Sequence, residues 1–337
     1  MLEIDGSYLE GGGQILRISL FLSLLTQKPF HIYNIRKGRP KPGLKNQHLH
    51  IIKCLKEISD IKVEGDRINS LELYFFPGKV KGGKVKIDFQ TAGSIPLFLQ
   101  TIFPVSLLSE KPLYLEIKGG TDVPGAPVFD YFRYHVVPIF EDALEEFSAF
   151  VERRGYYPKG GGVVKLKMHG KLKKFFLDFG EGKLVKIKGK LSGSEMLKEK
   201  RVLERMRDSF LRRIGEFNVG VELDLKYEES FSPGCSFFLQ GIFEGKRKLA
   251  VDILCKRGVP AERIGEEIAE KFTNYLKRGD SPDPNLSDHL VPFLALYGGR
   301  VFQPEPTKHF ETAIWTCKNF LDFEVKQKGK EYIFIPL

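Results

Sequence analysis

Thr91-Ala92-Gly93-Ser94-Ile95-Pro96-Leu97-Phe98-Leu99-Gln100-Thr101 is the stretch whose reading decides the fold. The Thr-Ala-Gly-Ser start opens a helix that the apolar run carries to residue 108. Lys111-Pro112 then turns the chain into a strand over 113–117. Gly119-Gly120-Thr121-Asp122-Val123-Pro124-Gly125 is a loop, a second helix covers 128–147, and strands follow near 148–153 and 163–168.

That order stands upstream as well. After a short strand at 2–4 comes Glu10-Gly11-Gly12-Gly13-Gln14-Ile15-Leu16-Arg17, with Ile15, Ile18, Phe21, Leu22 and Leu25 on one helical face. A strand over 30–35, a basic loop, a helix over 44–59 and strands near 62–64, 71–76 and 84–89 follow. Downstream it stands again: helix 288–296, a Gly298-Gly299 turn, strand 300–303, a loop ending at Thr307, a helix, then strands near 323–327 and 331–335. Three copies predict an α/β (α+β) fold of three homologous units packed as one domain. Their equivalent loops would meet at one face, where a site forms between repeats.

An interruption separates copies two and three. Gly180-Glu181-Gly182 opens it and Gly279-Asp280-Ser281-Pro282-Asp283-Pro284 closes it, both turn-rich. Inside lie a Lys-rich strand (184–189), a charged helix (195–214), strands at 220–227, 236–243 and 249–255, and a helix at 261–277. This predicts a small α/β domain at 183–274, about the minimum size for its own core, inserted into a main domain of 1–182 and 275–337.

The 337 residues are 42% hydrophobic, with 28 Phe, enough for substantial cores. Fifty-three basic against 43 acidic residues give a net charge of +10, which suits a polyanionic partner such as nucleic acid. Cys54, Cys235, Cys255 and Cys317 form no CxxC pair and no zinc spacing, and reduced thiols fit a cytoplasmic protein. Met1-Leu2-Glu3-Ile4 begins directly as structure without a signal peptide, and no apolar run is long enough for a bilayer.

Chemistry concentrates in three places. The Gly-rich loop into a helix is an anion-binding geometry, neither a Walker A loop nor a dinucleotide fingerprint. Glu10 beside it suits a divalent metal and Arg17 suits phosphate oxygens. Arg36-Lys37-Gly38-Arg39-Pro40-Lys41-Pro42-Gly43-Leu44-Lys45 puts five basic residues in a Gly/Pro loop, with Arg favoured for bidentate phosphate contacts. Pro306-Thr307-Lys308-His309 starts a helix, so His309 sits near the positive end of a helix dipole. That end favours neutral imidazole, the nucleophilic form.

Together these stretches resemble the RNA 3′-terminal phosphate cyclase family, in its archaeal, catalytically competent type. The likeness covers nearly the whole chain. It rests on Glu10–Arg17, on the 35–44 loop with Gln47-His48-Leu49, and on Thr91-Ala92-Gly93-Ser94 with Leu99-Gln100-Thr101. Gly119-Gly120-Thr121-Asp122 with Ala126-Pro127, Gly155-Tyr156-Tyr157-Pro158-Lys159-Gly160-Gly161-Gly162, and His309 with Thr312-Ala313 complete it.

The resemblance implies an ATP-dependent enzyme of the ligase class that turns an RNA 3′-phosphate into a 2′,3′-cyclic phosphodiester. His309 would take AMP covalently and pass it to the RNA end, and the 2′-OH would then expel AMP. It implies that Glu10 is catalytic and, with Asp288, holds a divalent metal, Mg or Mn. Arg17, Arg36, Arg39 and Gln47 would hold RNA or phosphate. Gln100, Pro127, Asn285, Leu286, Ser287, Asp288 and His289 would line the ATP pocket. The partner is an RNA with a 3′-phosphate end; no membrane is expected, and a homodimer stays open. The family usually carries an aromatic at the position of Asn285 and Asp-Gln at Asp288-His289. A stacking surface for adenine is therefore lost, and His289 is expected to be inert at the mouth of a helix. A non-catalytic RNA-binding relative acting in ribosome assembly is the rival, and His309 with Glu10 favours the enzyme. An enolpyruvyl-type transferase shares the repeat, but nothing here matches its substrate loops.

Overall fold

The computed structural model describes residues 1–173 and 177–337. The first unit is β1 (Leu2–Asp5), α1 (Gln14–Thr26), β2 (Phe30–Tyr33), α2 (Asn46–Ile58), β3 (Lys62–Glu64) and β4 (Leu73–Phe76). β1 is parallel to β2, β2 antiparallel to β4, and β4 antiparallel to β3. The second unit is β5 (Gly83–Asp88), α3 (Ile95–Ser106), β6 (Leu113–Gly119), α4 (Phe129–Tyr131), β7 (Leu144–Arg153) and β8 (Gly162–Gly170), with the same order and directions. The third begins with β9 (Leu177–Asp178), and the chain then departs. It makes β10 (Gly182–Ser194), α5 (Val202–Ile214), β11 (Gly220–Glu228), β12 (Cys235–Gly245), β13 (Leu249–Leu254) and α6 (Ala261–Arg278). It returns as α7 (Pro284–Tyr297), β14 (Gly299–Phe302), α8 (Lys308–Lys318), β15 (Phe323–Lys328) and β16 (Glu331–Pro336). β9 is parallel to β14, and β16 is antiparallel to both β14 and β15.

The repeat is thus strand-helix-strand-helix-strand-strand, with each parallel pair joined through a helix as such pairs require. The sequence reading began the unit at its first helix. In the third copy the opening strand is only two residues long and about a hundred residues precede its helix, so no local pattern marked it.

Aromatic rings from all three units meet in the shared core. Phe21 lies 5.5 Å from Phe293, Phe293 4.6 Å from Phe140, and Phe140 5.4 Å from Phe103, measured between centroids. These distances suit edge-to-face and offset packing. A second core gathers Ile187, Leu191, Met206, Phe210, Phe237, Ile268 and Phe272, all from the departing segment.

Four elements differ from expectation. The helix expected over 128–147 is α4, then a π turn (Phe132–Val136) and a 3-10 turn (Val137–Ala143). Pro138 has no N–H to continue an α-helix, and β7 starts at Leu144. α7 starts earlier than expected because the Asp283 carboxylate accepts from Leu286 N at 3.2 Å and Pro284 takes the first helical position. The Lys-rich strand extends to Ser194. The helix expected over 195–214 is a short 3-10 turn (Glu195–Leu197) followed by α5, broken where Arg201 takes φ 48°.

Buried charge fastens the departing segment to the second unit. The Arg154 side chain, 4% exposed, pairs with Asp122 at 3.2 Å, Asp130 at 2.8 Å and Glu228 of β11 at 3.0 Å. Ser192 of β10 also donates to Asp130. Burial works to lower the Arg154 pKa, but Asp122 and Asp130 hold it well above the ordinary value. Arg154→Met should cost about 3–5 kcal/mol at pH 7, because it strands buried carboxylates. A carboxyl whose folded pKa rises loses stability as pH increases, so the deficit should shrink towards pH 4. Urea unfolding at the two pH values measures this; an equal deficit at both would contradict it.

Candidate active site

A cleft of about 630 Å³ opens where the three units meet. Its walls include the N-terminal ends of five helices. Gln14 begins α1, Lys45 caps α2, Ser94 caps α3, Asn285 is second in α7 and His309 is second in α8. Exposed amides and dipole ends of this kind attract anions, each by about 0.3–1 kcal/mol.

His309 is placed from two sides. The Thr307 hydroxyl caps α8 by accepting from Phe310 N at 2.9 Å. Across the cleft, Gln14 Oε1 lies 2.9 Å from His309 Nδ1. An amide oxygen only accepts, so Nδ1 carries the hydrogen and Nε2 carries the lone pair, granted the amide orientation. Burial, then Arg17 and Arg39, hold the imidazole pKa below its usual value. The direction matches the expectation, while the causes found are burial and cations.

Around His309 the charge is mostly positive. The Arg17 guanidinium makes no hydrogen bond or ion pair among the described residues, and burial followed by Arg36 lowers its pKa to about 10. Arg36 donates to the carbonyls of Lys41 (2.9 Å) and Gly43 (3.2 Å), leaving its charge without a carboxylate. Arg39 pairs with Glu10. His48 accepts from Lys45 N at 3.1 Å, and burial followed by Arg17 and Arg36 lowers its pKa to about 3. A neutral His48 adds no further cation.

The Glu10 side chain is 8% exposed, and neither oxygen has a hydrogen-bond donor beyond its ion pair with Arg39. A Cβ at residue 12 would meet that carboxylate and push it from its present place. Glu10 is therefore a largely buried carboxylate at the cleft, ion-paired with Arg39 and with hydrogen-bonding capacity to spare. Among the described residues no three His, Cys, Asp or Glu converge as a metal cage. Magnesium is commonly held by one or two carboxylates, water and substrate phosphates, and Glu10 fits that use. Asp288 fits it less well. Its carboxyl accepts from the Thr307 hydroxyl at 2.7 Å, and burial raises its pKa to about 8.

The cleft gathers Glu10, Arg17, Arg36, Arg39, Gln47, Gln100, Pro127, Asn285, Asp288, His289 and His309 among its lining. Leu286 and Ser287 do not reach it. One helical turn cannot aim all of 285–289 the same way; both are fully buried, and Ser287 bonds to Gln303. Gln47 exchanges two bonds with Ser94, Nε2 to O at 2.8 Å and N to Oε1 at 2.9 Å, joining units one and two. His289 is buried against Gln100, whose Nε2 donates to its Nε2 at 2.5 Å, and burial then Arg17 lower its pKa to about 4. Sequence reasoning missed Gln14, though it lies one turn before Arg17 on the same helix. It also missed Asp252, which lines the cleft from β13 and carries no local signal.

The sequence profile of the RNA 3'-terminal phosphate cyclase family matches residues 8–327. Proteins of that name are close in sequence. The one from Saccharolobus solfataricus is 39% identical over 333 residues, covering 98% of this chain and 97% of its own. That of Thermococcus kodakarensis is 39% identical over 328 residues (96% and 94%), and that of Pyrococcus abyssi 38% over 341 (98% and 98%). A three-unit fold with an arginine-lined cleft between the units thus has relatives along nearly its whole length. The chain belongs to the RNA 3′-terminal phosphate cyclase family.

Asp288 yields a stability test. Its folded pKa of about 8 lies far above an unfolded aspartate's. The favourable contribution of its protonated form is complete below about pH 4 and is lost as pH rises towards 8. Asp288→Asn keeps an acceptor for Thr307 and removes the ionisation. The variant should be about 1–4 kcal/mol more stable than the parent at pH 7 and equal to it near pH 4. Thermal unfolding across that range reads the difference; a variant less stable at pH 7 would refute the raised pKa.

Proposed function

We propose that this chain converts an RNA 3′-terminal phosphate to a 2′,3′-cyclic phosphodiester, using ATP through a covalent His309–AMP and an RNA adenylate. The observation that carries the reading is the Gln14–His309 hydrogen bond, which turns an unprotonated Nε2 into a cleft lined by unpaired cations.

In the first step Nε2 attacks the α-phosphorus of ATP, forming a P–N bond as the P–O bond to pyrophosphate breaks. The ring becomes cationic. The Gln14 carbonyl holds its Nδ1 hydrogen, and Glu10 Oε2, 4.0 Å from Nδ1, opposes the new charge. In the second step an oxygen of the RNA 3′-phosphate attacks that phosphorus, and the electron pair of the P–N bond returns to Nε2. In the third, the ribose 2′-OH attacks the activated 3′-phosphorus as the P–O bond to AMP breaks, and its proton passes to the departing AMP phosphate or to water. The 2′-OH requirement selects RNA over DNA. Arg17, Arg36 and Arg39 meet the phosphate charge at each step. A divalent ion held by Glu10 with substrate phosphates would supply further charge neutralisation there.

Gln100, Pro127, Asn285 and His289 are taken to line the nucleotide end, with Asp288 orienting α8 through Thr307. The two cores support treating 183–274 as an inserted domain. Four free cysteines fit work in the cytoplasm, and no helix of the described residues is long and apolar enough to cross a membrane. No observation favours the non-catalytic alternative.

Incubated with ATP and magnesium but no RNA, the protein should gain one AMP through an acid-labile bond. His309→Asn should gain none and leave a 3′-phosphate RNA uncyclised, yet it should still cyclise RNA already bearing AMP on that phosphate. Covalent AMP on His309→Asn would refute the reading. Glu10→Gln should keep its fold and need more metal for the same rate; an unchanged metal titration would remove Glu10 from that role.

A further inference from the structure

Two exposed aromatic residues lie on two loops that join at a junction the chemistry above does not use. Tyr157 is 65% exposed and Phe231 is 45% exposed. Tyr157-Pro158-Lys159 is the exposed tip of a loop of the second unit, closed by Gly160 N donating to Tyr156 O at 2.8 Å. Phe231 lies on the loop between β11 and β12 of the inserted segment. Lys159 N donates to Ser232 Oγ at 3.1 Å, which ties the two tips together. The Arg153 guanidinium lies 4.0 Å over the Phe231 ring and also donates to Gly161 O at 2.8 Å.

This arrangement is built rather than accidental. Gly160 and Gly161 have φ of 62° and 68°, a region that side chains disfavour. A Cβ at Gly161 would strike Phe231, and one at Gly160 would strike the backbone of Ala92. The loop therefore lies flat against both neighbours, and Ala92 itself lines the cleft. The paired tips begin beside Ala92 and present the exposed Tyr157 and Phe231 rings, the Arg153 guanidinium over one of them and an exposed Lys159.

We infer that these tips form a stacking platform for single-stranded RNA, taking nucleobases upstream of the 3′-terminal phosphate. Exposed rings interleaved with cations are the chemistry that binds unpaired bases without regard to sequence. The chain's net charge of +10 favours that occupant over an acidic-residue-poor protein surface. The platform needs both the second unit and the inserted segment, so it gives the insertion a function. The inference rests on the proposed function for the identity of its ligand.

The test uses the full chain and single-stranded RNAs ending in a 3′-phosphate, one a dinucleotide and one of about 12 nucleotides. Binding is read by fluorescence anisotropy and turnover by cyclic-end formation. Tyr157→Ala and Phe231→Ala should each weaken the longer RNA, raising Kd and KM by on the order of tenfold. The dinucleotide, too short to reach both rings, should lose far less. Tyr157→Phe and Phe231→Tyr should restore the longer RNA, since stacking needs a ring and not a particular substituent. AMP labelling by ATP alone is the control: its failure in the parent protein would sink the proposed function and leave the RNA-binding comparison standing. Parental affinity for the longer RNA in the Tyr157→Ala, Phe231→Ala double variant would overturn the platform. So would equal losses on both RNAs, or a change in sedimentation in place of RNA affinity, which would mark the surface as a protein contact.

Discussion

The contact between the first helix of the chain and the last complete one is the constraint on which the site depends. α1 and α8 bring Gln14 to His309, residues separated by 295 positions. The same junction is held by the Tyr8 ring stacked 4.1 Å from Trp315, by Glu10 N donating to Thr312 Oγ1 at 3.3 Å, and by Lys28 Nζ donating to Phe320 O at 2.8 Å. None of these bonds is strong alone. Together they set the register of the glycine loop against α8, so that Glu10, Gln14 and Arg17 face one imidazole. A small slip at this junction would part Nδ1 from the amide oxygen and let the ring choose either tautomer.

The site is also held at an electrostatic cost. Arg17 and Arg36 repel each other with no carboxylate paired to either among the described residues, and Asp288 retains its proton far above the usual carboxylate range. Each is unfavourable in the free protein, and a stable fold without ligand would remove them. A polyanion in the cleft would pair the cations, and it would leave Asp288 protonated, as burial already does. Uncompensated charge of this kind in a cleft is a way in which stability is traded for recognition. The neutral states of His48 and His289 belong to the same pattern, because further protonation beside Arg17 would only add repulsion.

What the sequence revealed follows from which signals are local. Helical periodicity, glycine turns and the order of elements are local, so the repeat, the placement of Glu10, Arg17 and His309 about loop-to-helix junctions and that of Arg36 in a loop were legible. A strand of two residues is not a periodic signal, and β9 went unread. Pro138 broke the expected helix in a way that apolar spacing does not record. Leu286 and Ser287 were assigned as part of a contiguous stretch, whereas a helix aims consecutive residues in different directions. Gln14 needed a partner almost the whole chain away before its amide meant anything, and Asp252 reaches the cleft only through docking of the inserted segment.

The position of that insertion then becomes intelligible. It departs after β9 and returns just before α7, whose first turns supply Asn285, Asp288 and His289 to the cleft. Asp283, which caps α7, is the knot. Its carboxylate accepts from Tyr131 and His135 of the second unit, each at 2.7 Å, and from Ala250 N of β13 at 3.2 Å. Burial works to raise its pKa, but His135 and these hydrogen bonds bring it below the ordinary value. One ionised carboxylate thus joins the second unit, the inserted segment and the third unit's first helix. Any shift of the insertion pulls on the cap of the helix that lines the cleft. The placement of Asn285, Asp288 and His289 in the cleft therefore depends in part on how the insertion docks.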